Sequence, residues 1–173
     1  VTVKKDAGGN DLPEAQQEDA NKNTDQIAIS TACKGATGIA PEYDYTQLGE
    51  TWSTPRIVKL KISGADKWVA IAGGGYNGAT NPNYGSAVFI IDLENDGKLI
   101  KKIDIQDKSS IDIINSIPSD LTIITADSTE NAKYHGALVY AFDLEGKITK
   151  INLTNQGTLY DQTEIFDSES NTT

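Results

Sequence analysis

The sequence predicts an all-β protein: a portion of a β-propeller, about two four-stranded antiparallel blades behind a polar N-terminal extension. Three observations carry this. A stretch occurs twice, Gly85-Ser-Ala-Val-Phe-Ile-Ile-Asp-Leu-Glu-Asn-Asp-Gly-Lys-Leu returning as Gly136-Ala-Leu-Val-Tyr-Ala-Phe-Asp-Leu-Glu-Gly-Lys-Ile. The offset from Asp92 to Asp143 is 51 residues, close to the roughly 40–50 residues of a four-stranded blade. The segments around the repeat alternate apolar and polar residues with a period of two, the mark of half-buried strands.

Residues 1–26 are dense in Asp, Glu, Asn, Gln and Lys and poor in large apolar side chains after Val3. They cannot bury enough surface to offset the entropy of ordering, which predicts a loop-like extension or insertion ahead of a partial propeller over 27–173. Gln26 to Cys33 reads as a short strand, followed by a Gly- and Pro-containing connection to Gly49. A first blade-like repeat spans about 52–105. Val58, Leu60 and Ile62 alternate with Lys59 and Lys61 in its first strand, Ser63 to Lys67 forms a turn, and Trp68 to Ala72 forms a more buried second strand ending in Gly73-Gly74-Gly75. After a loop rich in Asn and Gly, Ala87–Asp92 and Lys98–Ile105 are the third and fourth strands, joined by the Asp96-Gly97 pair of a tight hairpin.

The second repeat, about 111–153, opens on Ile111–Ile114, either a strand or a short helical turn. Leu121–Thr125 is β-branched and strand-like. Ala137–Asp143 and Lys147–Leu153 repeat the third and fourth strands across a turn two residues shorter. The tail from Thr154 to Thr173 carries isolated apolar residues that could begin another blade. Two blades do not close a ring. The expected neighbours are the remaining blades of a longer chain or of a partner chain, and an opening Val inside a polar run suggests a piece of something longer.

A net charge of −10 argues against DNA, RNA or anionic lipid as partner, since these require clustered Lys and Arg. No apolar run reaches the roughly 20 residues of a membrane span. Cys33 is the only cysteine, either a free buried thiol or the partner of a cysteine outside the chain. His135 is the only histidine, so neither a Ser-His-Asp system nor a multi-His metal site can be built from this chain alone.

Asp92-Leu-Glu-Asn-Asp96-Gly97 imitates the front half of an EF-hand loop. Ile100 and Ile103 stand where later ligands belong, and the second copy drops two residues, so a plain turn is the reading. The triple glycine lacks the Lys and Ser/Thr of a phosphate loop and fits close backbone packing instead. Trp52 and Trp68 are expected as core anchors. Asn152-Leu-Thr154 and Asn171-Thr-Thr173 match the glycosylation pattern and carry little weight. Tyr76, Asn77, Asn81 and Tyr84 lie in a loop able to bind carbohydrate or protein, because loops on a rigid β scaffold carry recognition.

The succession Leu48-Gly-Glu-Thr-Trp52-Ser-Thr-Pro55-Arg-Ile-Val58, Trp68-Val-Ala-Ile-Ala-Gly73-Gly-Gly-Tyr76 and the Asp-Leu-Glu hairpins resembles the C-terminal propeller of PilC/PilY-type proteins over about Leu48 to Leu153. These are secreted bacterial adhesins of the type IV pilus tip. The resemblance implies an extracellular place at the bacterial cell surface, a non-enzymatic role in adhesion and pilus biogenesis, and minor pilins or a host or surface receptor as partners. It implies no cofactor beyond a calcium loop that many members carry before the strand matching Val139-Tyr140. That place holds 127–136 here, where only Asp127 and Glu130 are anionic. With Asn131 they are the remaining metal candidates, the turn Gly is missing, and Lys133 repels a cation, so the site is lost or much weakened. The hairpins also resemble those of quinoprotein-like propellers. A quinone-dependent dehydrogenase-like enzyme is therefore an alternative, as is a propeller that only docks other domains.

Overall fold

The computed structural model describes residues 34–35, 38–39, 41–76, 85–106, 115–125 and 136–168. The chain divides into two compact units, Val1–Tyr43 and Asp44–Thr173. In the first, β1 (Lys34–Gly35) pairs antiparallel with β2 (Gly38–Ile39), and a single 3-10 turn follows at Pro41–Tyr43. The polar extension, the strand expected from Gln26 and Cys33 itself lie outside the described residues.

The second unit is two four-stranded antiparallel sheets. The first runs in chain order through β3 (Arg56–Ile62), β4 (Ala65–Gly73), β5 (Ala87–Asp92) and β6 (Leu99–Asp104). The second runs through β7 (Thr122–Thr125), β8 (Gly136–Phe142), β9 (Ile148–Thr154) and β10 (Gln162–Phe166). This is the all-β architecture of a partial β-propeller.

Turn chemistry fixes the registers. Ser63 and Gly64 have φ of 52° and 84°, so a two-residue turn of type I′ joins Ile62 to Ala65. The turn is shorter than the sequence suggested, and β4 therefore begins at Ala65 rather than at Trp68. Between β5 and β6 the Lys98 N–H donates to Asn95 O at 3.0 Å around Asp96 (φ 53°) and Gly97 (φ 69°). This is the tight Asp-Gly turn the sequence predicts. In the shorter β8–β9 turn, the Gly146 N–H donates to Asp143 O at 3.3 Å and Gly146 takes the left-handed position (φ 82°).

The core lies between the sheets. Leu60, Val69, Ile71, Val88, Ile90 and Ile103 from the first sheet meet Val139, Ile151 and Leu153 from the second, with Ile117 and Leu121 between them. Each such side chain contributes roughly 1.5–3 kcal/mol over its exposed state. In β3 the alternation holds as read: Val58 and Leu60 are buried, Lys59 and Lys61 exposed.

The two tryptophans correct the sequence reading. Trp52 is 71% exposed and Trp68 48% exposed. Trp68 pairs with Lys59 across β3–β4, which sets both on the outer face of the first sheet while Val69 and Ile71 turn inward. That outer face has a smaller cluster of Ala87, Phe89 and Leu99, on which Tyr45 stacks at 5.6 Å between ring centroids.

The repeat and the sheets are out of step by one strand. The duplicated hairpin is β5–β6, third and fourth in the first sheet, but β8–β9, second and third in the second. Each copy is braced alike. Leu93 N–H donates to Trp68 O at 3.1 Å and Leu144 N–H to Ser116 O at 3.0 Å. Among the described residues the duplicated hairpin is thus flanked by β3 and β4 on one side in the first sheet, and by β7 on one side and β10 on the other in the second. The tail does not open another blade: Gln162–Phe166 pairs with β9. Ile111–Ile114 lies outside the described residues.

Candidate functional site

The candidate recognition loop leaves the scaffold through a knot of backbone. Tyr76 ends the described chain on one side and Gly85 resumes it on the other. Four segments converge there. Gly85 N–H donates to Gln47 O at 2.7 Å, Gly49 N–H to Gly74 O at 2.7 Å, Gly75 N–H to Ile117 O at 2.9 Å and Ile117 N–H to Gly85 O at 3.0 Å. Glu50 and Tyr76 exchange both backbone hydrogen bonds, at 2.8 and 2.9 Å.

Only glycine fits this arrangement. Gly75 and Gly85 have φ of 90° and 95°, and a Cβ on either would collide with backbone of Glu50 or of Gly75. A Cβ on Gly73 would stand 2.7 Å from Ile117 O. The close packing expected of the triple glycine is therefore present. Side chains brace the knot as well: Thr51 Oγ1 donates to Gly73 O at 3.0 Å, and Gly73 N–H donates to the buried Ser53 Oγ at 3.0 Å.

Of the predicted ligand residues, Tyr76 stands at the loop root and is 39% exposed. Asn77, Asn81 and Tyr84 lie outside the described residues, as do Asp127, Glu130, Asn131 and His135. The structure does not bring these groups together in any described geometry. Among the described residues no group of three or more His, Cys, Asp or Glu is placed to hold a metal ion, and no helix is long and apolar enough to cross a membrane.

The acidic hairpin is structural. Asp92 is 2% exposed, with Oδ2 on Lys67 Nζ at 2.5 Å and Oδ1 accepting the Glu94 N–H at 3.0 Å. The hydrogen bond from Lys67 outweighs burial and holds the carboxyl below the usual carboxylate range. Asp143 does the same work in the second copy, accepting from Asn115 Nδ2 at 2.9 Å and from the Glu145 and Lys147 N–H groups at 3.1 and 2.9 Å. Both oxygens of each aspartate thus serve as hydrogen-bond acceptors within the hairpin.

The spatial pairing of Thr51-Trp52-Ser53 with Gly73-Gly74-Gly75-Tyr76 gives the order of these words a physical cause. The family model of the PilY1 beta-propeller domain matches residues 29–165. The chain belongs to that family. Neither the curated proteins nor the solved structures give a match. Membership makes the chain a type IV pilus-associated propeller domain.

Within this PilY1 domain, sequence reasoning missed Ser53, Asn115 and Ser116, all buried polar residues at the knot or beside the second hairpin. The signal for Ser53 was its place within the Trp-Ser-x-Pro word. Asn115 and Ser116 gave none, because their partners, Asp143 and Glu145 for the one and Leu144 for the other, lie in a later hairpin turn. The sequon at Asn152 is also accounted for: its Nδ2 donates to Gln156 O and Thr158 O at 2.8 and 3.0 Å, and its Oδ1 accepts from Thr154.

Proposed function

We propose that this PilY1 propeller domain is a non-enzymatic adhesion and pilus-biogenesis module, displayed at the cell surface on the pilus tip. It binds a minor pilin or a surface receptor through the loop 76–84. The observation that supports this reading is the glycine knot, which pins both roots of the loop to a rigid β scaffold and leaves Tyr76 partly exposed. A binding loop on a fixed base loses little entropy at its stems when it engages a partner. Tyr76, Asn77, Asn81 and Tyr84 supply an aromatic and amide surface suited to carbohydrate or polypeptide.

Calcium has no part in this mechanism. The loop 127–135 offers two carboxylates and the Asn131 amide beside Lys133, short of the six to eight oxygens the ion takes.

Replacing Tyr76 and Asn77 together with Ala tests the reading. Adhesion or pilus display should fall while the melting temperature stays within a few degrees of the parent. Unchanged adhesion by a folded variant removes the loop from consideration. A propeller that only docks neighbouring domains is the second reading, supported by the half-exposed apolar residues Phe142 and Phe166 on the second sheet and Leu144 in its β8–β9 turn; in that case the variant leaves adhesion intact.

A further inference from the structure

Residues 115–118 tie the glycine knot to the second sheet, each through a different bond. Asn115 Nδ2 donates to Asp143 Oδ2 at 2.9 Å and to Glu145 Oε2, and Ser116 O accepts the Leu144 N–H at 3.0 Å. Ile117 O accepts from Gly75, the Ile117 N–H donates to Gly85 O, and Pro118 O accepts the Trp52 N–H at 3.1 Å. The connection that leaves β4 at Gly73 and the β8–β9 turn each join the second and third strands of a sheet. These bonds bring both to the same end of the sheet pair.

Exposed apolar side chains gather at this end. Among the described residues, five large apolar side chains outside the strands are exposed: Leu48, Trp52, Tyr76, Leu93 and Leu144. All but Leu93 sit on segments tied into the knot. Leu48 lies between Gln47 and Gly49, which bond Gly85 and Gly74, while the backbones of Trp52, Tyr76 and Leu144 bond Pro118, Glu50 and Ser116. Trp52 is the most exposed of them. Neighbouring blades cover the faces of a sheet, whereas the connections at the strand ends stay outside that packing. Clustered apolar exposure there marks contact with another molecule.

We propose that Leu48, Trp52, Tyr76 and Leu144 form one docking surface, and that it takes a polypeptide segment carrying apolar side chains beside Lys or Arg. Trp and Tyr are the residues that most often anchor such interfaces. The aliphatic Leu48 and Leu144 beside them fit apolar side chains, whereas sugar hydroxyls buried there would lose their hydrogen bonds. Charge selects the flanks. Glu50, Asp120, Asp143 and Glu145 belong to these segments. The nearby cations are already committed: Arg56 acts on Asp120, Lys102 pairs with Asp44 at 2.6 Å, and Lys147 is buried with Nζ on Ile105 O at 2.9 Å. A Lys or Arg of the partner gains from the acidic surroundings and from the exposed indole. The surface rests on the reading of the loop 76–84 to the extent that Tyr76 belongs to both, so the test leaves Tyr76 in place.

The full chain, isotopically labelled, is titrated with the peptide Ac-Lys-Leu-Tyr-Leu-Lys-NH2 while NMR follows the Trp52 indole N–H and the Leu48 and Leu144 methyl groups. All three signals should shift at millimolar peptide, and the peptide with Glu in place of both Lys should bind at least about threefold more weakly. Trp52→Ser combined with Leu144→Ser should weaken binding at least about fivefold, and Glu50→Lys about two- to fivefold. The proposal is overturned by the absence of these shifts in the parent chain, by equal binding of the Lys and Glu peptides, or by a doubly substituted chain that binds as the parent does. Chitotriose shifting the same signals in the peptide's stead would make the surface a sugar platform and overturn it as well. Adhesion is not the readout, so failure of this test leaves the Tyr76 and Asn77 variant to decide the role of the loop.

Discussion

Gly85 and Gly64 share nearly the same backbone angle, φ of 95° and 84°, yet their surroundings differ. A Cβ at Gly85 meets the Gly75 carbonyl, whereas at Gly64 nothing lies within 4 Å. We therefore expect Gly64→Ala to cost about 1–2 kcal/mol, the left-handed penalty alone. Gly85→Ala should cost about 2–5 kcal/mol, because the knot must also open. Urea unfolding of the two variants measures the difference, and equal costs would refute the knot as a source of rigidity. Asp92 gives a second handle at this scale. Its folded carboxyl titrates below the ordinary carboxylate value because of its hydrogen bond from Lys67. The stability it contributes is present above that ordinary value and is lost as pH falls through the lower folded value. Thermal melts of the parent should therefore fall on acidification below about pH 4, and Asp92→Asn should flatten that limb while lowering the plateau. An acid limb of unchanged steepness in the variant would assign the loss to other carboxylates. Asp44, lowered by its hydrogen bond from Lys102, is the next in line.

At the level of elements, the two hairpins differ by a two-residue insertion and nothing else of consequence. Deleting Asn95 and Asp96 leaves Asp-Leu-Glu-Gly-Lys-Leu, the pattern of the second copy. The shortened β5–β6 turn should adopt the form seen around Gly146, with a change in unfolding free energy within about 1 kcal/mol. A loss of several kcal/mol would show that the turns are not equivalent. Most of these strands were legible in the sequence because period two survives wherever one face is buried, as in Val58, Leu60 and Ile62. The Asp-Gly turn was legible because left-handed backbone has few residue choices. Trp68 was not, since its face depends on a register set by the Ser63–Gly64 turn, two residues where five were expected. The tail was misread for a related reason: Gln162 to Phe166 is exposed along its whole length and has no alternation to display. Of the site, the glycines were legible and their partners were not, because Glu50, Ile117 and Gln47 contribute backbone atoms that any residue could supply.

At the scale of the whole molecule, the outer face of the second sheet carries a row of exposed apolar side chains among the described residues. Phe142, Ile148 and Phe166 pair in register across β8, β9 and β10, and Phe142 and Phe166 are 43% and 53% exposed. Apolar surface of this kind drives association when nothing covers it, and propeller blades cover one another's faces. The isolated chain should accordingly self-associate as its concentration rises, and replacing Phe142 and Phe166 with Ser should suppress this without lowering the melting temperature by more than a few degrees. Light scattering across a concentration series decides; identical curves for parent and variant would clear this face of the role.

The one-strand slip between repeat and sheet bears on how such a domain can be cut and rebuilt. Each copy of the repeat carries a hairpin, and among the described residues the first sheet adds two strands from the chain ahead of it while the second adds one from ahead and one from behind. A graft made at the repeat's own borders would strand β3 or β10 on the wrong side of the junction and expose a raw sheet edge. Exchange of whole sheets instead requires junctions at 54–55 and beyond 166, so the modules that recombination could trade are not the ones that duplication copied.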